Sequence, residues 1–311
     1  MATVVEYCPN CGQAFEPAYG AGCPHCAAQP QAVINEQAAV APLAPEVAAP
    51  SAALWGPGMG LLTWASSVAL IVGTQIIAAI IYIFIKISQT GAMPKEFKID
   101  LLLALLSIAS AFPAHLMTLA FCWLIVTARG QRPFWRTLGW NWHPQFKWVH
   151  AVALAFLMLG AAALFSKILP HQETDLERML KLGTSVRVLT ALLAVLTAPL
   201  VEEVVYRGVL YPGVARRWGW LAGLSITTFL FALVHVPQYW GSWAAISTIV
   251  LLSFVLTLLR AATGSILPCV AVHLVFNGVQ SVLLLLGIDD SLKQQTSEAA
   301  LVLWTQWLSS L

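Results

Sequence analysis

Apolar stretches of about 20 residues, the length needed to cross a hydrocarbon core of roughly 30 Å, recur along most of this chain. They fall at 60–85, 101–127, 148–168, 188–210, 221–236, 244–259 and 264–286. The pattern predicts an all-α, polytopic membrane helix bundle of about seven to eight transmembrane helices. A last run, 301–311, carries Trp304 and Trp307 and is short for a span. It reads as an interfacial helix or an eighth crossing.

Composition agrees with the pattern. Of 311 residues, 59% are hydrophobic and 10% charged, and the mean hydropathy is +0.77, far from the balance of a soluble domain. The net charge of +2 is thinly spread, so no basic surface argues for a nucleic-acid partner. The bilayer itself is the first partner the composition implies.

The residues before the first span divide in two. In 1–27, Cys8 and Cys11 form one CxxC pair and Cys23 and Cys26 a second. Two tight turns delivering four thiolates suit a tetrahedral structural zinc. The stretch reads as a short zinc ribbon, a segment too small to bury a core, in which the metal supplies most of the folding free energy. Nothing in it is catalytic, and its expected role is to recruit a protein partner. Residues 28–58 are rich in Ala, Pro and Gln and read as an extended linker. The membrane domain is then expected over 59–290, with 291–311 as the C-terminal interfacial or eighth helix. Cys122 and Cys269 lie singly in apolar runs and read as small buried hydrophobes.

Between the second and third spans, Arg129, Arg132, Arg136 and Lys147 alternate with Trp135, Trp140, Trp142 and Trp148. Such a segment is expected to ride in the headgroup zone. Basic residues do not orient the bundle: with the N-terminus inside, seven fall in inner loops and eight in outer ones. Thiolates persist in the reducing cytoplasm, so the ribbon places the N-terminus there, and the expected location is the plasma membrane of a prokaryote.

The fourth span contains the chemistry. Glu202, Glu203 and Arg207 interrupt an otherwise apolar run, and each such charge costs roughly 2.5 to 3.5 kcal/mol near the centre of a membrane helix. Residues four apart share a helix face, so Arg207 can neutralise Glu203, which leaves Glu202 about 100° round the helix and free for acid–base work. The same spacing joins Phe231 to His235 on the fifth span and His273 to Asn277 on the seventh. Counting at 1.5 Å per residue, Glu202 and His235 lie on the order of 20 to 24 Å from a turn between Arg216 and Gly219, and Asn277 lies about 20 Å from Gly264. His115 in the second span has no companion at helical spacing and reads as a satisfied interior histidine.

The runs 198–208, with EExxxR, 231–235, with FxxxH, and 264–277, with HxxxN, resemble the CPBP family of intramembrane proteases. That family comprises the CAAX-prenyl-protein endopeptidases and the bacteriocin-processing and immunity (Abi) proteins, and the resemblance covers 60–286. It implies an intramembrane endopeptidase acting on a peptide or membrane-protein substrate. Glu202 and His235 would polarise a water, His273 and Asn277 would stabilise the oxyanion, and Glu203 with Arg207 would brace the site. A second scheme, with Glu202, His235 and His273 as ligands of a catalytic zinc, is equally drawable at this stage. The rival class is a non-proteolytic scaffold or self-immunity protein on the same fold. Its expected sign, erosion of Glu202, His235 or His273, is absent from the sequence.

Overall fold

A computed structural model of the chain describes residues 6–7, 14–15, 55–94 and 98–287. The chain divides into two units, 1–45 and 46–311. In the first, strands β1 (Glu6–Tyr7) and β2 (Ala14–Phe15) pair antiparallel with Glu6 opposite Phe15. The four ribbon cysteines lie outside the described residues, as does the terminal run 301–311.

The second unit is a membrane helix bundle. Its long helices are α1 (Pro57–Thr90), α2 (Leu101–Val126), α4 (Trp148–Ile168), α8 (Tyr211–His235), α9 (Trp243–Thr263) and α10 (Leu267–Leu286). Short helices α3 (Phe134–Leu138), α5 (Asp175–Leu180), α6 (Thr184–Leu192) and α7 (Ala198–Glu203) lie between them. Asp100 starts α2 by accepting from the Leu103 N–H at 2.9 Å, and Thr174 with Glu177 makes a reciprocal cap on α5, each satisfying donors that a helix start leaves open.

Among the described residues, six helical runs are long and apolar enough to cross a bilayer, where the sequence predicts seven spans. The fourth and fifth predicted spans are two arms of one run, Thr184–His235. Gly219 breaks that run with φ 85° and ψ 163°, a conformation open to glycine and closed to most side chains. A straight helix would hold residues 215 and 223 about 12 Å apart. Instead a Cβ at Gly223 would sit 2.9 Å from the Ala215 Cβ, so the chain folds back on itself at Gly219. The two arms are antiparallel, and the predicted spans survive as passes.

Two π-helical turns, Leu193–Thr197 and Val204–Leu210, flank α7. Such widened turns inside α-helices favour functional sites. They alter the backbone hydrogen bonding, and side chains from other elements serve carbonyls within them: Asn277 Nδ2 donates to Ala194 O at 3.0 Å, and Trp55 Nε1, just before α1, to Val209 O at 2.8 Å. The core beside the second turn is built from Val201, Val204, Val205, Val209 and Leu210, with Cys122, Leu138, Phe231 and Ile266 from neighbouring elements. Each buried aliphatic or aromatic side chain of this kind contributes roughly 1.5 to 3 kcal/mol relative to exposure to water, though less against lipid, which is itself apolar.

The Arg- and Trp-bearing connection after α2 does more than ride on a surface. Leu138 is fully buried, Gly139 O accepts from the Ile266 N–H at 3.0 Å, and Asn141 Nδ2 donates to Ser265 Oγ at 3.0 Å. At Gly139 (φ 74°) a Cβ would come within 2.8 Å of Gly264 O. Glycine is what lets this connection close against the α9–α10 turn. Cys122 and Cys269 are free and buried, as expected.

Candidate active site

α7 carries Glu202 and Glu203 side by side and sends them to different surroundings. Glu203 is fully buried, and its Oε1 accepts from Arg207 Nη1 at 2.9 Å and from His273 Nδ1 at 2.8 Å. Arg207, also fully buried, spends its remaining donors on α9: Nε on Thr257 Oγ1 at 3.2 Å, and Nη2 on Ser253 O at 3.0 Å and Ser253 Oγ at 2.9 Å. Its guanidinium lies 4.8 Å over the Phe231 ring, a cation–π contact. The expected Glu203–Arg207 pair is therefore present, and it also joins α9 and α10. Glu203 Oε2 is buried with no hydrogen-bond partner, so the brace is asymmetric and rests on one oxygen.

Glu202 faces a partly open space, with its side chain 21% exposed. Its Oε1 lies 4.0 Å from His235 Nε2 and its Oε2 3.7 Å from His273 Nε2. These separations exceed a direct hydrogen bond, so each imidazole nitrogen confronts the carboxylate across a gap rather than closing on it. The far nitrogen of each ring is fixed. His235 Nδ1 is 2.8 Å from Phe231 O, a carbonyl that can only accept, so Nδ1 carries the proton and Nε2 offers a lone pair. His273 Nδ1 donates to the Glu203 carboxylate in the same way. Phe231 stacks on His235 at 4.7 Å between ring centres, which holds the imidazole plane.

The sequence-predicted residues thus divide into two groups. Glu202, His235 and His273 meet at one point from three separate elements, and Glu203 and Arg207 hold His273 from behind. Asn277 lies one turn beyond His273 with one amide hydrogen on Ala194 O. Two residues absent from the sequence-predicted set also adjoin the site. Tyr239, in the loop after α8, donates its N–H to His235 O at 3.2 Å. Its phenol is pushed up to about 12, by burial first and then by the Glu202 and Glu177 carboxylates. His115 bonds to Thr197 at 2.9 Å, five residues before Glu202. Four-residue spacing marks Tyr239 from His235, whereas nothing local marks His115.

A tetrahedral zinc needs three or four ligand atoms at about 2.0 to 2.3 Å from one centre. Among the described residues no group of three His, Cys, Asp or Glu side chains is arranged to hold a metal ion. Glu202, His235 and His273 are the residues that would hold such an ion, and no step below passes through a metal.

Six helical runs apolar enough to cross a bilayer, with a carboxylate and two imidazoles brought together among them, define a polytopic membrane protein. Residues 184–279 match the family model described as Type II CAAX prenyl endopeptidase Rce1-like. That stretch contains all six predicted catalytic residues and is similar to the CAAX-protease (CPBP) family. No curated protein and no solved structure matches the chain.

Proposed function

We propose that the protein is an intramembrane endopeptidase that hydrolyses a peptide bond with a water activated by Glu202 and His235. The observation that carries this reading is the placement of Glu202 between two imidazole nitrogens whose opposite nitrogens are already committed. A water between Glu202 and His235 Nε2 gives up a proton to this pair as its oxygen attacks the scissile carbonyl carbon. The C–N bond then breaks, and the same proton passes to the departing amine.

The oxyanion formed in between needs donors aimed at it. His273 serves as such a donor from Nε2 when both ring nitrogens carry a proton, its Nδ1–H staying on Glu203. Asn277 holds a second amide hydrogen beyond the one given to Ala194 O. Glu203 and Arg207 act by fixing His273 and by tying α7 to α9 and α10.

The substrate is a peptide or a membrane protein reached within the bilayer, and a prenylated CAAX tail is the first to try. We place the protein in a prokaryotic plasma membrane with its N-terminus in the cytoplasm, where the thiolates of a 1–27 zinc ribbon would persist and could recruit a protein partner.

The experiment is cleavage of a fluorogenic farnesylated CAAX peptide, together with a comparison of membrane proteomes from cells carrying the wild type or Glu202→Ala. Products present with the wild type and missing with the variant support the reading, and identical proteomes with an uncleaved peptide reject it. A chain beginning at residue 46, which lacks the ribbon cysteines, should keep its activity after dialysis against a strong chelator. Activity lost there and restored by added zinc would overturn the metal-free scheme.

A further inference from the structure

One titratable side chain buried among the helices has no part in this scheme. His115 of α2 is 7% exposed, and no Asp, Glu, Lys or Arg occurs in 101–128. Its Nδ1 lies 2.9 Å from Thr197 Oγ1, 82 residues further along the chain. The Thr197 hydroxyl turns its proton to Leu193 O at 3.4 Å, so its oxygen accepts from His115 Nδ1–H.

Thr197 holds a pivotal position. It closes the first π-turn with φ −120° and ψ −42°, away from helical values, and occupies the N-cap of α7. A threonine there would ordinarily turn its oxygen to the backbone N–H groups of the helix. Here no side-chain cap bond forms, and the hydroxyl is engaged by His115 and Leu193 instead. Pro199 follows and removes a further backbone donor. The rotation of α7, and with it the aim of Glu202, is therefore tied to α2 by this contact. Histidines at membrane depth are costly and rarely idle.

We propose that His115 is a positioning residue for Glu202, acting through Thr197 on the π-turn that sets the rotation of α7. The inference rests on the protease reading, so the first measurement needs no substrate. In the full-length protein in detergent, the Glu202 side-chain carboxyl 13C signal is identified by its loss in Glu202→Gln. It should move in His115→Ala and in Thr197→Val, and return in His115→Asn, whose amide nitrogen can stand where Nδ1 stood. An unmoved signal in both His115→Ala and Thr197→Val overturns the proposal, whatever the protein cleaves. Should His115→Ala fail to fold, Thr197→Val carries the same test.

The second measurement uses the farnesylated peptide. Loss of one neutral hydrogen bond corresponds to about a tenfold lower rate, so His115→Ala should reduce kcat about tenfold with KM little changed. His115→Asn should recover most of it. Equal losses in Ala and Asn, or an unchanged kcat, reject a positioning role. A wild type that leaves both the peptide and the membrane proteome unchanged, while the carboxyl signal behaves as expected, removes the protease reading and leaves the His115 contact standing.

Discussion

His273 Nδ1 stands 2.8 Å from Glu203 Oε1, across 70 residues of sequence and two helices. The same oxygen takes the Arg207 guanidinium at 2.9 Å. Glu203 therefore accepts from two donors with one atom, and removing it has two separable effects. Glu203→Ala leaves Arg207 buried without its counter-charge, which costs about 3 to 5 kcal/mol and should show as a large drop in thermal unfolding temperature in detergent. Glu203→Gln keeps an acceptor for both donors but lowers the charge behind His273. The expected result is a milder loss of stability with a fall in activity of about 10 to 100-fold. Two variants equally destabilised would contradict this division.

Glu202 has no such structural duty. Glu202→Ala and His235→Ala should abolish cleavage of the farnesylated peptide while leaving unfolding temperatures near that of the wild type, and His273→Ala should do so with some loss of stability. Asn277→Ala should be less severe, because one oxyanion donor contributes about 100 to 1,000-fold, although its bond to Ala194 O is lost as well. Full activity in the Glu202 variant would end the protease reading.

Gly219 reverses the chain between the two arms that deliver Glu202 and His235. With φ at 85°, any L side chain is strained there, by about 1 to 3 kcal/mol. Gly219→Ala should lower the unfolding temperature and reduce kcat together, since relaxing the bend shifts His235 against Glu202. Gly73 of α1, which has open space around it and a helical backbone, provides the control. Gly73→Ala should be neutral or slightly stabilising, by up to about 1 kcal/mol.

A pH effect is expected at the start of α2. Burial works against the Asp100 charge, but the Leu103 N–H, the Lys86 ammonium at 2.7 Å and the Tyr82 hydroxyl together hold its carboxyl below the usual range. A carboxyl depressed in the folded protein stabilises above its unfolded value, about 3.9, and that contribution fades as pH falls through the lower folded value. The gap in unfolding temperature between the wild type and Asp100→Asn should be steady from about pH 5 to 7 and close on acidification below about pH 4. A gap that widens on acidification would contradict the assignment.

Much of the bundle could be read from the chain, because a bilayer forces each crossing to be about 20 apolar residues long and leaves costly charges visible against that background. Glu202, Glu203 and Arg207 stood out for that reason, and four-residue spacing paired the last two correctly. What depends on contacts between helices was hidden. The sequence shows Glu203 one partner, Arg207, whereas the structure supplies His273 as another. It shows His115 none, because Thr197 is 82 residues away. The reversal at Gly219 was hidden as well, because only its backbone angles show where the helical run breaks and the chain turns back. The π-turns leave no compositional trace, since a residue that widens a turn is of no particular type.

Those π-turns have a consequence for how the two acidic residues can change. α7 is six residues long, and the winding is wider immediately before it and immediately after. One residue more or less in an α-helix turns everything beyond it by about 100°, so each widened turn acts as a dial on the segment it borders. A deletion in Leu193–Thr197 would re-aim both carboxylates together, whereas one in Val204–Leu210 would keep them in place and swing Arg207 or the arm that follows. The aim of Glu202 and the strength of the brace are thus adjustable by separate single-residue length changes, with no substitution at Glu202 or Glu203.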